Sequence, residues 1–275
     1  MIRVMLLTIV LGLCSFGCMD QNPKQEDNVR NPKATSTAAM ETPSENPNRP
    51  KIDPEITVDY LMGKFDPSTH EAFTSIDEAF ASKKGMFLRK DAYEAFKKMA
   101  LDARQAGINL VIISATRPFN HQKRIWEAKW SGSRKVDGQD LSKTIADPAA
   151  RAVKILTYSS MPGTSRHHWG TDFDVNSLEP SYFESGTGKK IYEWLAQNAA
   201  DYGFCQPYSE KGADRQYGYE EEKWHWSYLP IAKNLTDQYI LRINDEDLAG
   251  FRGSETAVEI DMIEKWVYGI NPSCK

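Results

Sequence analysis

Gly163-Thr164-Ser165-Arg166-His167-His168-Trp169-Gly170-Thr171-Asp172-Phe173-Asp174 packs two imidazoles and two carboxylates into one short stretch. Its glycines interrupt helix, and from Thr171 to Asn176 polar and apolar residues alternate, the pattern of a half-buried strand. With a period of two, Asp172, Asp174 and Asn176 share one face while Phe173 and Val175 face the core. Further along comes Glu221-Glu222-Lys223-Trp224-His225-Trp226-Ser227-Tyr228. Alternation resumes there from Trp224 to Tyr228, so His225 points away from Trp224 and Trp226. One imidazole is thus presented from an aromatic-backed strand.

Around these two segments the chain reads as mixed helix and strand. Asp91 with Glu94 three residues later opens a helix whose Tyr93, Phe96, Ala100 and Ala103 form an apolar face, and Gly107 ends it. Ile108 to Ser114 reads as a buried strand that Arg117-Pro118 stops, and a helix carrying Gln122, Ile125 and Trp126 follows. Pro148 near an N-terminus, with Ala152, Val153 and Leu156, marks another helix. Lys190 to Ala200 is helical, and the last forty residues read as helix. No internal repeat is visible, and no Gly-rich phosphate loop follows a strand, which argues against a Rossmann fold. The expected class is α+β, with a small antiparallel sheet flanked by helices.

The chemistry follows from residue types. Two histidines and one carboxylate form a known zinc set that leaves a fourth position for water. Such a site lowers the pKa of the water and polarises a carbonyl, but it needs a base to take the proton. Glu222, three residues before His225, is a candidate. Spacing alone leaves His168 as a rival to His167, and Glu221 as a rival to Glu222. A non-haem iron oxygenase uses the same donor types, but with a much closer His-x-Asp pair than any here. Ser114 and Ser227 lack an adjacent base, which disfavours serine-protease chemistry.

Ser165-x-His167-x-x-Gly170-x-x-x-Asp174, followed by Glu222-x-Trp224-His225, resembles the signature of the D-alanyl-D-alanine metallopeptidases. That family includes vancomycin-resistance carboxypeptidases and dipeptidases, and shares its zinc-binding core with hedgehog signalling domains. The resemblance covers roughly residues 85 to 230. It implies one zinc ion held by His167, Asp174 and His225, with Glu222 as general base and later acid. Arg117, in Ser-Ala-Thr-Arg117, matches the family arginine that steadies the oxyanion or the substrate carbonyl. Gln122 and Ser165 match substrate-side positions, and Tyr228 is expected to line the cleft. Asp172 stands where the family often has a small apolar residue; it is read as a substrate contact or as a group orienting a ligand from behind. The register favours His167 over His168, and the three-residue step to His225 favours Glu222 over Glu221. The implied activity is D-alanyl-D-alanine carboxypeptidase action on peptidoglycan stems. The alternatives are endopeptidase or D,D-dipeptidase action, or a non-catalytic zinc-containing wall-binding module.

The 275 residues suffice for one sizeable domain. A formal charge of −4, from 34 basic and 38 acidic residues mixed along the chain, gives no basic stripe for nucleic acid. At the N-terminus, Arg3 precedes an apolar run from Val4 to Leu13, too short to span a bilayer and laid out as an export signal. Ser15-Phe16-Gly17-Cys18 resembles a lipobox despite bulky Phe16, with ordinary cleavage nearby as the alternative. Residues 1–18 are therefore expected as a lipoprotein-type signal ending at lipidated Cys18. Residues 19–50 are expected as a disordered tether rich in Asn, Pro, Ser and Thr, and residues 51–275 as the zinc peptidase domain. The implied location is the periplasmic or cell-envelope face of a bacterial membrane, and the expected state is a monomer. Cys205 and Cys274 either pair in that oxidising compartment or stay as two free buried thiols.

Overall fold

The computed structural model describes residues 50–275. The expected signal (1–18, with Cys18) and tether (19–50) lie outside the described residues, Pro50 alone excepted. In chain order the strands are β1 (Phe73–Ser75), β2 (Phe87–Arg89), β3 (Ile112–Ser114), β4 (Asp172–Val175), β5 (Phe204–Cys205) and β6 (His225–Tyr228). The helices are α1 (Val58–Leu61), α2 (Lys90–Gln105), α3 (Phe119–Trp130), α4 (Leu141–Thr144), α5 (Pro148–Ile155), α6 (Gly186–Asn198), α7 (Leu229–Arg242) and α8 (Thr256–Glu259). β1 and β2 form an antiparallel pair, and the other four strands form an antiparallel sheet in the order β3-β4-β6-β5. The α+β expectation holds.

Register explains where chemistry can sit. β4 pairs with β6 so that Asp174 faces His225, Phe173 faces Trp226 and Asp172 faces Ser227. Strand alternation therefore puts Asp172, Asp174, His225 and Ser227 on one face and Phe173, Val175 and Trp226 on the other. The apolar face joins a core with Tyr93, Phe96, Met99 and Ala103 of α2 and Ile191 and Leu195 of α6. Phe96 meets the Phe173 ring edge-on at 4.9 Å. A second core, containing Trp126, Ala152, Ile155, Trp169, Leu235 and Tyr239, draws on α3, α5 and α7. The polar face of the sheet is thereby left between two apolar masses, the arrangement that keeps a polar cluster dry.

Several local expectations need correction. The helix with Tyr93 and Phe96 starts at Lys90, and no side chain caps its Arg89 N-cap. Asp91 instead approaches Arg89 at 3.6 Å, and Glu94 pairs with Lys97 at 2.8 Å. Only Ile112–Ser114 of the expected long strand is extended sheet, because β4 on one side is itself short and the other side meets only a single bridge at Ala81. β4 is buried on both faces rather than half-exposed, since the polar face is roofed by other groups. In α5, capped by Asp147 with Pro148 in the first turn, Ile155 is buried and Val153 is exposed. The last forty residues contain α7's end, then short turns of helix punctuated by Gly250, Gly253 and Gly269.

A disulfide joins Cys205 of β5 to Cys274, with Cα atoms 5.8 Å apart. Asn271 reinforces that closure, its N–H donating to Pro207 O at 2.8 Å.

Candidate metal centre and active site

His167 sits in a short 3-10 turn, Arg166–Trp169, that feeds directly into β4. Gly170 ends the turn at φ 72°, and a Cβ there would overlap the Phe73 ring, so only glycine fits both demands. Trp169 anchors the turn through its Nε1–H to Leu61 O at 3.0 Å, and Tyr60 O–H donates to Trp169 O at 2.7 Å. The His167 ring then lies with its centroid 4.6 Å from that of His225. His167, Asp174 and His225 each offer a ligand atom, all within 4.8 Å of one another, and all three residues are buried.

Hydrogen bonds decide which nitrogen of each ring is free. His167 Nδ1 lies 3.0 Å from Ala115 O, a pure acceptor, so Nδ1 carries the proton and Nε2 keeps its lone pair. Nε2 points to Asp174 Oδ1 at 3.3 Å. His225 bonds Asp172 Oδ2 through Nε2 at 2.9 Å, leaving Nδ1 3.1 Å from the same Asp174 Oδ1. His167 Nε2 and Asp174 Oδ1 have no hydrogen-bond partner although both are buried, a costly condition unless a ligand meets them. The 3.1 and 3.3 Å separations match the edge of about 3.3 Å for a tetrahedron of donors about 2.0–2.1 Å from a central ion. The donor set fits a divalent cation.

Electrostatics agree. Burial, then the Arg117 guanidinium, pushes the His167 pKa down to about 4, so the ring is neutral, as a ligand must be. Burial alone would lower His225, but its hydrogen bond to Asp172 and the nearby carboxylates of Asp174 and Glu222 outweigh it and hold the ring well above its ordinary value. Excess negative charge around one imidazole is what a cation would neutralise. Glu222 Oε2 stands 3.4 Å from His225 Nδ1, outside the three-donor set. Burial raises its pKa above the ordinary carboxylate value, the direction a proton-transfer group needs.

A model of the family described as VanY, D-alanyl-D-alanine carboxypeptidase, matches residues 85–231, more than half of the chain. The chain belongs to the VanY family. This is a peptidase family. YodJ of Bacillus subtilis, itself named only provisionally as a carboxypeptidase, is 29% identical over 178 residues, covering 62% of this chain and 56% of its own. The D-alanyl-D-alanine carboxypeptidase of Enterococcus faecalis is 30% identical over 129 residues, covering 47% of this chain and 43% of its own. This chain thus spans about half the length of these two curated relatives. A zinc complex of a mutant vancomycin-resistance D,D-pentapeptidase VanY aligns with TM-score 0.44 and 20% identity, over 69% of this chain and 92% of that one.

Within this VanY-family site the other expected residues divide. The Arg117 N–H donates to His167 O at 3.1 Å, and its Nε is buried without a partner. Ser165 Oγ is likewise buried and unpartnered. Gln122 is 1% exposed; its Nε2 donates to Ser160 O at 2.7 Å and its Oε1 is unpartnered. Tyr228 is a correction: it lies on the Trp226 face of β6 and packs on Phe204, with centroids 5.3 Å apart, away from the metal donors. Asp172 is a second correction as a substrate contact, since both its oxygens are taken, Oδ2 by Arg166 and His225 and Oδ1 by Thr171 and Ser227. His168 is excluded from the donor set because both nitrogens are used, Nε2 accepting from Gly163 N–H and Nδ1 donating to Arg117 O. Glu221 faces Tyr192 and Lys223 instead of the donors.

Three further residues close round the donors. Tyr208 covers His225 with ring centroids 4.7 Å apart, and Tyr219 packs on Tyr208 at 4.8 Å. The Tyr219 hydroxyl is another buried oxygen without a partner. Arg166 is the third, pairing with Asp172 at 2.9 Å, and a basic residue six positions before that acid is its one trace in the sequence.

Proposed function

We propose that this chain is a zinc-dependent peptidase that removes D-alanine from peptidoglycan stem peptides ending in D-Ala-D-Ala. The observation carrying the reading is the pair of buried, unpartnered donors His167 Nε2 and Asp174 Oδ1, converging with His225 Nδ1 beside a buried glutamate. His167, Asp174 and His225 would hold the ion. Zinc, when bound, would polarise the scissile carbonyl and lower the pKa of water.

Glu222 is placed to take a proton from the attacking water and return it to the leaving amine. The Arg117 guanidinium supplies a fixed positive charge for the oxygen that becomes anionic, worth more beside this buried donor cluster than in bulk. Ser165 Oγ, Gln122 Oε1 and the Tyr219 hydroxyl offer polar atoms to orient the substrate. The carboxypeptidase names of the curated relatives support this bond type over other peptidase activities.

The deciding experiment is mass spectrometry of purified muropeptides before and after treatment with zinc-loaded protein. Loss of a single D-alanine from pentapeptide stems is expected. Release of a free dipeptide or opening of cross-links would reassign the cut within the family, and unchanged muropeptides would leave a zinc-containing wall-binding module.

The same proposal places the enzyme outside the cytoplasm, held by lipid on Cys18 through residues 19–50. The Cys205–Cys274 disulfide supports an oxidising compartment. Palmitate labelling that persists in a Cys18→Ser variant would overturn the anchor.

A further inference from the structure

Asp172 makes more contacts than a buried carboxylate needs merely to be tolerated. Its Oδ2 accepts from Arg166 Nε at 2.9 Å and contacts His225 Nε2 at 2.9 Å. Its Oδ1 accepts from Thr171 Oγ1 at 2.6 Å and Ser227 Oγ at 2.8 Å. The remaining guanidinium nitrogens of Arg166 donate to Thr236 Oγ1 at 2.9 Å and Ser227 Oγ at 2.7 Å. Asp172, Arg166, Ser227 and Thr236 are all buried to within about one per cent.

The direction of every bond in this cluster can be assigned. Arginine only donates. Ser227 Oγ and Thr236 Oγ1 therefore accept from it, and give their own protons to Asp172 Oδ1 and to Ala232 O. An ion-paired carboxylate only accepts, so the proton between Asp172 and His225 sits on the imidazole Nε2. That leaves Nδ1 as the only nitrogen of His225 able to bind a metal, and Nδ1 is the one facing Asp174.

We propose that Asp172 is a positioning residue, fixed by Arg166, Thr171 and Ser227, that holds His225 as the Nε2–H tautomer and aims its Nδ1 at the metal. This rests on the reading that His167, Asp174 and His225 hold zinc. Stability alone does not account for the cluster, because a buried ion pair often contributes no more than well-packed apolar residues would. The two ligands are also held unequally. His167 donates to a neutral carbonyl, Ala115 O, whereas His225 donates to an anion. A carboxylate behind the ring raises the basicity of its ligating nitrogen more than a carbonyl does, so His225 is the stronger donor of the pair.

The test uses the purified full chain. Zinc dissociation constants are measured by chelator competition for the wild type, Asp172→Asn and Ser227→Ala. Asparagine can present an N–H to Nε2 and favour the wrong tautomer, so a weakening of about 10–100-fold is expected. Ser227→Ala removes one donor from Oδ1 and none from Oδ2, and should change affinity only a few-fold. In the zinc-loaded wild type, 15N NMR of the histidines should show His225 bound through Nδ1 with its proton on Nε2, and His167 the reverse. That spectrum needs no variant to fold, and a merely structural role would not dictate it. Asp172→Asn binding zinc as tightly as the wild type, or His225 bound through Nε2, would overturn the inference. A wild type that binds no zinc would instead sink the metal reading on which it rests.

Discussion

Replacing Glu222 with Gln tests the proposed chemistry with the least disturbance to the fold. The main chain at this position is held independently of the side chain: Glu222 N–H donates to Tyr208 O at 2.9 Å, and Glu222 O accepts from Gln206 Nε2 at 3.2 Å. Glutamine is isosteric, and the charge it removes is one that burial above all, and Asp174 to a lesser degree, disfavours. The folded state should therefore lose little stability, and the three metal donors are left intact. What disappears is, among the described residues, the only buried carboxylate beside the donor set that is not itself a donor or tied up by Arg166. Loss of a positioned general base and acid costs about 10²–10⁴ in rate, or about 2.7–5.4 kcal/mol of transition-state stabilisation. The assay follows D-alanine release from a peptide ending in D-Ala-D-Ala, with zinc content measured on the same sample. Glu221→Gln is the matched control: its carboxylate faces Tyr192 at 3.4 Å and Lys223 at 3.7 Å, so activity should stay within a few-fold. A Glu222→Gln enzyme with activity within fivefold of the wild type would refute the assigned role. Loss of zinc along with activity would make Glu222 a metal donor instead.

Two other outcomes follow from features away from the donors. Cys274→Ser opens a closure spanning 69 residues and should cost about 2–5 kcal/mol in urea unfolding, with no loss in wild type kept oxidised. Lys129 is held down to about 8, first by burial and then by Arg134 and Arg117. The unfolded chain holds that proton up to its ordinary pKa, so folding is penalised below pH 8 and the penalty fades as pH rises toward 10.5. This group alone should make the protein about 2 kcal/mol more stable at pH 9.5 than at pH 7.5. Lys129→Met should flatten that slope; an unchanged slope would mean that the ammonium is well solvated.

Much of the site was legible because its information is local. Alternation along Thr171 to Asn176 and Trp224 to Tyr228 put Asp174 and His225 on polar strand faces, and the pairing of β4 with β6 set them opposite each other. The same parity rule, applied one step further, excludes Tyr228 from the cleft, since it shares a face with Trp226. Asp172 could not be placed so simply. Parity puts it on the face of Asp174, but only the third dimension shows Arg166 folding back over the turn to claim it. The chain beyond α7 is harder to read for another reason: its apolar residues, such as Ala257, Val267 and Cys274, pack in the core from separate short turns rather than from one helical stripe.

The donor cluster also ties metal to folding, which gives a last quantitative expectation. Its atoms come from the Arg166–Trp169 turn, β4 and β6, elements that meet only when the sheet is formed, so an unfolded chain offers no comparable site. A cation that binds only the native state stabilises it by RT ln(1 + [L]/Kd), about 4 kcal/mol when free zinc is a thousandfold above Kd. For a domain of this size each kcal/mol raises Tm by about 2–4 °C, so saturation with zinc should raise it by about 8–16 °C. His225→Ala should abolish most of that shift, because it removes one of three donors and leaves Asp172 and Asp174 without their shared partner. Differential scanning calorimetry with buffered zinc reads both numbers. A shift of the same size in His225→Ala would mean that the ion stabilises the fold from somewhere other than the junction of β4 and β6.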